Sequence, residues 1–195
     1  MKLLGISGSL SAHSKTALVV NKALEFAGSA SKNIKPDFLS LSGLELDFCD
    51  GRNPDLYTGN TRQAIDKVSE ADAYIIGSPI YRGSYSGAFK NLFDLIPNTV
   101  LKGKAVGIVA TGGSYHHFLA IEHQLKPLLG YFNTYVVPGG VYAHNDHFGD
   151  GAITSREILN RLEKLGRETV RLAWELETTY DGPDLPQIER KSLIN

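Results

Sequence analysis

The sequence predicts a three-layer α/β fold, with a five-stranded parallel sheet covered by helices on both faces. Two observations predict it. Short, nearly continuous apolar runs alternate with longer amphipathic segments along most of the 195 residues, the pattern of βα units around a sheet buried on both sides. Glycine-rich turns follow the first, third and fourth of those runs, at the sheet edge where folds of this class carry their ligand loops. The single cysteine, Cys49, excludes an intramolecular disulfide and any zinc site made of cysteines alone. Stability must therefore come from burial, for which 42% hydrophobic residues suffice.

Taken in order, the first strand is KLLGIS (2–7), an apolar run that stops at a Ser/Gly turn. A helix over 16–27 comes next, with Ala17, Val20, Leu24 and Ala27 on its apolar stripe. After a polar connection comes a second strand around IKPDFLSL (34–41). The stretch 42–60, with Gly43, Gly51, Asn53, Pro54 and Gly59, is a loop that serves either as a site rim or oligomer contact or as a surface excursion. Further helices are predicted over 61–70, 86–96, 116–129 and 155–176, and further strands over AYIIGS (73–78), KAVGIVA (104–110) and TYVVPGGVY (134–142). Two helix starts carry capping-box signals, Asn60 with Gln63 and Thr154 with Glu157, and these mark the boundaries most sharply. Residues 1–176 thus form one domain. Residues 177–195, with two prolines and no sustained periodicity, form an extended tail. Five parallel strands in this alternation are the flavodoxin-like arrangement.

The charges nearly cancel: 20 Lys and Arg against 21 Asp and Glu leave a formal net charge of -1. No electrostatic excess points to nucleic acid or to an anionic membrane. Apolar runs such as AVGIVA (105–110) fall far short of the roughly 20 residues a membrane helix needs. Near the start, Gly5, Ser7, Gly8 and Ser9 break the run that a signal peptide would require, so the expected location is the cytoplasm.

The loop GISGSLSAHSKT (5–16) can aim backbone amides and a helix start at a phosphate, with hydroxyls from Ser9, Ser14 and Thr16 and a charge from Lys15. A structural Ser/Gly turn is the alternative. It is not a Walker A loop, because His13 stands where the second glycine belongs, nor a G-x-G-x-x-G dinucleotide fingerprint. What remains is a mononucleotide phosphate site, which in a flavodoxin-like sheet is the place of FMN. The third strand runs into GSPIYRGSYSG (77–87), where Pro79 fixes the backbone and Gly83 and Gly87 leave room for a flat ligand. The fourth runs into ATGGSYHH (110–117), whose Thr111, Gly112, Gly113 and Ser114 can present amides to the polar edge of a flavin ring.

SPIYRGSYSGAFKNLFDLI, ATGGSYHHFLAIEHQLKPLL and GVYAHND together resemble the NAD(P)H-dependent FMN reductase family, and within it the reductases of two-component alkanesulfonate and methanesulfonate monooxygenase systems. The resemblance spans residues 1–176. It implies FMN and NAD(P)H as the cofactors, a flavin-dependent monooxygenase as a partner and a homodimer or homotetramer. Carried over by position, Ser9, Ser14, Lys15 and Thr16 belong to the phosphate loop. Pro79, Ile80, Tyr81, Arg82 and Gly83 belong to the first ring loop, and Thr111, Gly112, Gly113 and Ser114 to the second. Because the two cofactors carry the hydride chemistry, no side chain is nominated as nucleophile or general base. The alternatives are a tightly FMN-bound quinone, azo-dye or metal reductase and a flavodoxin-type electron carrier; strong acidity, usual in such carriers, is absent here.

Among the six histidines, His116, His117 and His123 lack the i,i+4 spacing that suits zinc, and His144 and His147 fit a polar turn or the flavin mouth. His123 matches an extra helix residue of the sulfonate-linked reductases, where Tyr or His stands. The expected consequence is a π-bulge in the 116–129 helix, at a subunit interface beside the flavin edge.

Overall fold

The computed structural model describes residues 1–176 and 182–184. The chain runs from β1 (Lys2–Ser7) through α1 (Lys15–Gly28) and β2 (Lys35–Ser40) to α2 (Gly59–Ser69). It continues through β3 (Ala73–Tyr81), the short β4 (Ser84–Tyr85) and α3 (Gly87–Leu95) to β5 (Ala105–Gly112). A π-helical segment (Ile121–Leu125) leads into α4 (Lys126–Tyr131), β6 (Tyr135–Val136) and β7 (Val141–His144). The hairpin of β8 (Phe148–Gly149) and β9 (Ala152–Ile153) precedes α5 (Arg156–Glu175).

The parallel strands lie in the order β2-β1-β3-β5, with β6 and β7 sharing the fifth position beside β5. This is the flavodoxin-like order, as the alternation predicts. Side chains alternate between the two faces. Leu3 of β1 and Ala73 and Ile75 of β3 meet α1 and α5, whereas Leu4, Ile6, Tyr74 and Ile76 meet α2, α3 and the π-to-α4 segment. Where α5 crosses α1, a side chain at Gly166 would come within 2.5 Å of the Ala23 carbonyl oxygen, so the helix contact requires glycine there. Among the described residues no helix is long and apolar enough to cross a membrane.

Four local expectations are corrected. The fifth strand, expected unbroken over 134–142, divides at Pro138-Gly139-Gly140, because proline offers no N–H and Gly139 turns to φ +77°. Neither capping box forms. α2 starts at Gly59 after Thr58, whose side chain makes no cap bond. α5 is capped by Ser155, whose Oγ accepts the Ile158 N–H, because the Thr154 hydroxyl is drawn instead to the His147 carbonyl. The 116–129 helix is composite. A 3-10 turn (Tyr115–His117) comes first, and the Lys126 N–H then reaches the Ile121 carbonyl five residues back, the π geometry expected around His123.

The 42–60 segment packs back onto α2 and α3. Tyr57 is buried and donates to Asp50, and the Asp47 carbonyl and Cys49 N–H both bond to Asn91. Its Leu44, Leu46 and Phe48 border a groove beside Leu10 of the first loop. Most of the 177–195 tail lies outside the described residues. Of the part described, Asp184 pairs with Lys102 at 2.6 Å and Pro183 accepts from Asn133 at 3.0 Å.

Replacing Gly166 by Val should overpack the α1–α5 contact and cost about 1–3 kcal/mol. The expected readout is a lower urea midpoint with an unchanged denaturant slope; an unchanged midpoint would contradict the close helix approach.

Candidate functional site

The carboxyl ends of β1, β3, β5 and β7 converge on one edge of the sheet. From β1 the chain enters the loop from Gly8 to Ser14. Gly8 extends the ladder by donating to Gly77 at 2.8 Å, and its own carbonyl accepts the Ser86 hydroxyl at 2.6 Å. Ser86 also caps α3 by accepting the Phe89 N–H at 3.1 Å. One hydroxyl thereby fixes the first loop to the start of the helix behind β3.

Past Gly8 the loop holds a surplus of neutral donors. The backbone N–H groups of Ser9, Leu10, Ala12 and His13, and of Lys15 and Thr16 in the first helical turn, have no acceptor among the described residues. Ser9 and Ser14 are both buried and use their oxygens only as acceptors, from Ser11 N–H at 3.2 Å and Ala17 N–H at 3.0 Å. Their hydroxyl protons remain available. The Ser7 hydroxyl, fully buried at the end of β1, has no protein partner. Buried groups of this kind are costly unless a partner arrives, and an acceptor-rich anion such as a terminal phosphate is the partner this set fits.

Two side chains of the first loop have partners within the protein. The Thr16 hydroxyl lies 2.6 Å from that of Thr111, both buried, so this pair joins the start of α1 to the end of β5. Lys15 turns away to Asn145, with Nζ 2.8 Å from Oδ1.

In the first ring loop, Pro79 and Ile80 are buried within β3, and Pro79 stands in register with Thr111. Tyr81 is 58% exposed at the strand's end. Arg82 and Gly83, with φ of 52° and 84°, form the two-residue turn between Tyr81 and Ser84. Turn geometry alone requires glycine at Gly83, and no protein atom lies within 4 Å of a side chain placed there, so the space beside it is open. The hairpin is held against the π segment, where Ser84 Oγ donates to Gln124 Oε1 at 3.1 Å.

The second ring loop depends on residues that sequence reasoning missed. Tyr142 of β7 lies against Gly112 so closely that any side chain there would strike its hydroxyl, which donates to the Ser114 carbonyl at 2.6 Å. Burial raises the Tyr142 phenol above its ordinary pKa. A side chain at Gly113 would come within 2.9 Å of Asn145 Nδ2. The Tyr115 ring stacks on His144 at 3.9 Å between centroids. His144 Nδ1 accepts the Asp146 N–H and His147 Nδ1 the His144 N–H, so both histidines build the expected polar turn. Among the described residues no cluster of His, Cys, Asp and Glu is arranged to hold a metal. The usable signal for Tyr142 was alternation: in VYAH it falls on the α2–α4 side, one strand over from Gly112.

A protein-family model described as NADPH-dependent FMN reductase matches residues 1–148. The chain is 44% identical over 179 residues to an NAD(P)H-dependent FAD/FMN reductase of Geobacillus thermodenitrificans, covering 91% of this chain and 96% of that one. It is 31% identical over 165 residues to the NADH-dependent FMN reductase SfnF of Pseudomonas putida, covering 85% and 89%. An oxidoreductase of Corynebacterium diphtheriae superposes with a TM-score of 0.77 at 29% identity, over 89% of this chain and 97% of that structure.

Because the raised Tyr142 pKa lies above the unfolded value of about 10, the tether to Ser114 contributes fully below pH 10 and is lost as pH rises through the folded value. In an ultraviolet titration, the tyrosinate absorbance that separates wild type from Tyr142→Phe should appear only above pH 10. A transition at or below that value would mean a solvated phenol. The same substitution should cost about 1 kcal/mol of stability.

Proposed function

The chain belongs to the NADPH-dependent FMN reductase family, and from that premise we propose that its first loop binds the FMN phosphate and that the loops after β3 and β5 flank the flavin ring. As a member it is a flavin oxidoreductase that uses FMN and NAD(P)H. The observation that carries the assignment of the loop is the surplus of neutral donors between Gly8 and Thr16. Bound FMN supplies the ring that takes up a hydride from the dihydronicotinamide. The protein's part is placement. Ser86, the Thr16–Thr111 pair and the Tyr142–Ser114 bond fix the loops relative to one another before a ligand arrives, so little ordering remains to be done on binding.

FMN should bind well above riboflavin, which lacks the phosphate. Equal affinities in a fluorescence titration would reject the phosphate loop. Ser14→Asp should weaken FMN by about tenfold or more while sparing riboflavin, because a carboxylate repels the phosphate.

The reading extends to the fate of the product: reduced FMN leaves for a flavin-dependent monooxygenase, from a cytoplasmic homo-oligomer in which the π segment lies at a subunit interface. The sulfonate-system resemblance supports this, as does the position of the π turn against the ring-loop hairpin through Gln124 and Ser84. Deleting His123 would rotate the part of the helix before it by about 100° relative to the part after it and should separate that contact. The expected result is tighter FMN retention and slower release of reduced FMN, measured by gel filtration and by transfer to an acceptor monooxygenase. Unchanged retention and transfer would remove the π turn from the release step.

A further inference from the structure

A second cleft, of about 500 Å³, is bordered by the outer side of the first loop at Ala12–Lys15, and neither ring loop lines it. One wall is the outer side of α1, with Ala17, Leu18 and Asn21. The facing wall is the β8–β9 hairpin, with the Phe148 ring and the left-handed tip at Asp150 and Gly151, φ 48° and 76°. The hairpin is anchored, since Thr154 N–H donates to the His147 carbonyl at 2.9 Å.

At the inner end stands Lys15. Its ammonium bonds to the neutral Asn145 amide at 2.8 Å and lies 5.2 Å from the Phe148 ring centroid, so its charge is held in place without being neutralised by a carboxylate. Asn145 in turn abuts Gly113. The Lys15–Asn145 bond therefore joins the cleft to the second ring loop.

Each feature narrows the ligand. Two apolar walls, with Leu18 38% exposed on one of them, suit a flat ring. A positioned, unneutralised amine suits phosphate. With only Asn145 between Lys15 and Gly113, a molecule long enough to pass Lys15 has its other end at the second ring loop. Of the two substrates, the nicotinamide dinucleotide alone has a ring at each end of a diphosphate. We propose that the cleft between α1 and the β8–β9 hairpin receives the adenosine half of NAD(P)H, with Lys15 at the bridging diphosphate. This rests on the reductase assignment and adds a site for the substrate half that the flavin loops were not assigned. Binding there is the same before and during hydride transfer, so it lowers KM and leaves kcat alone.

Leu18→Glu tests it, because the substitution places a carboxylate on the apolar wall at an exposed helix position outside the FMN loops. AMP should bind the wild-type protein in calorimetric titration, and the variant about tenfold or more weakly. FMN affinity, followed by fluorescence, should be equal in both. KM for NAD(P)H should rise by a similar factor at constant kcat. Reduced nicotinamide mononucleotide, which lacks the adenosine half, should react equally well with both proteins. The proposal is overturned if AMP does not bind the wild type, if the variant leaves AMP and dinucleotide binding unchanged, or if the variant impairs the mononucleotide as much as the dinucleotide. A wild-type protein that fails to bind FMN would overturn the reductase site itself, and this proposal with it.

Discussion

Because β1, β3 and β5 are covered on both faces, every side chain along them must be apolar or find a partner inside the protein, and polar chemistry is confined to the strand ends. The constraint reaches to the last residues. Ser7 at the end of β1 and Gly77 and Ser78 midway along β3 are small and buried, and Gly77 lets α1 approach the sheet. A Cβ at Gly77 would meet Val20, Val109 and Thr16 at once, so the start of α1 is seated directly over the β3 strand. That seat sets the direction of the first loop, the exposure of its amides and the position of Thr16 within reach of Thr111.

The loops above this floor are joined by neutral hydrogen bonds. Ser86 to Gly8, Thr16 to Thr111, and Tyr142 to Ser114 each link a different pair of elements, and all three are buried or nearly so. A neutral bond in such a place contributes about 1 kcal/mol net. Its greater effect is positional, because breaking one leaves a buried group unsatisfied. Ion pairs play no part in this stitching. Among the described residues the Lys and Arg ion pairs lie toward the outside, as between Arg62 and Asp66 or Arg171 and Glu175, where solvent screens them.

The architecture was legible in the sequence because burial on both faces writes itself as apolar runs, and the strand order follows once the runs are counted. The unusual run of hydroxyl residues between β1 and α1 was legible too, and the structure leaves the protons of its buried Ser9 and Ser14 without acceptors. The hidden features depended on contacts between distant segments. Thr154 looked like a helix cap, and only the fold brings the His147 carbonyl close enough to take its hydroxyl. Thr16 and Thr111 looked like ligand donors, and their 95-residue separation concealed that they bond to each other. Gly83 and Gly112 look alike in sequence. One is glycine for its backbone angle and the other for the Tyr142 hydroxyl pressed against it.

The turning away of Lys15 bears on how strongly the first loop can hold a phosphate. A lysine inside the loop would add a full charge to the amide and hydroxyl donors, in a setting that water screens poorly. Here that charge is directed to Asn145, and the loop relies on oriented dipoles alone. Dipoles select the shape and the acceptor groups of a phosphate, but they attract it less at a distance and release it more readily. Such a balance suits the proposed release of reduced FMN, in which the same groups would bind and let go in every cycle. The π turn lies at the hairpin after β3, where its Gln124 accepts from Ser84. On the proposed assignment, the neutral donors of the first loop and the π turn beside the ring-loop hairpin are separate features of the fold, and exchange of the flavin would draw on both.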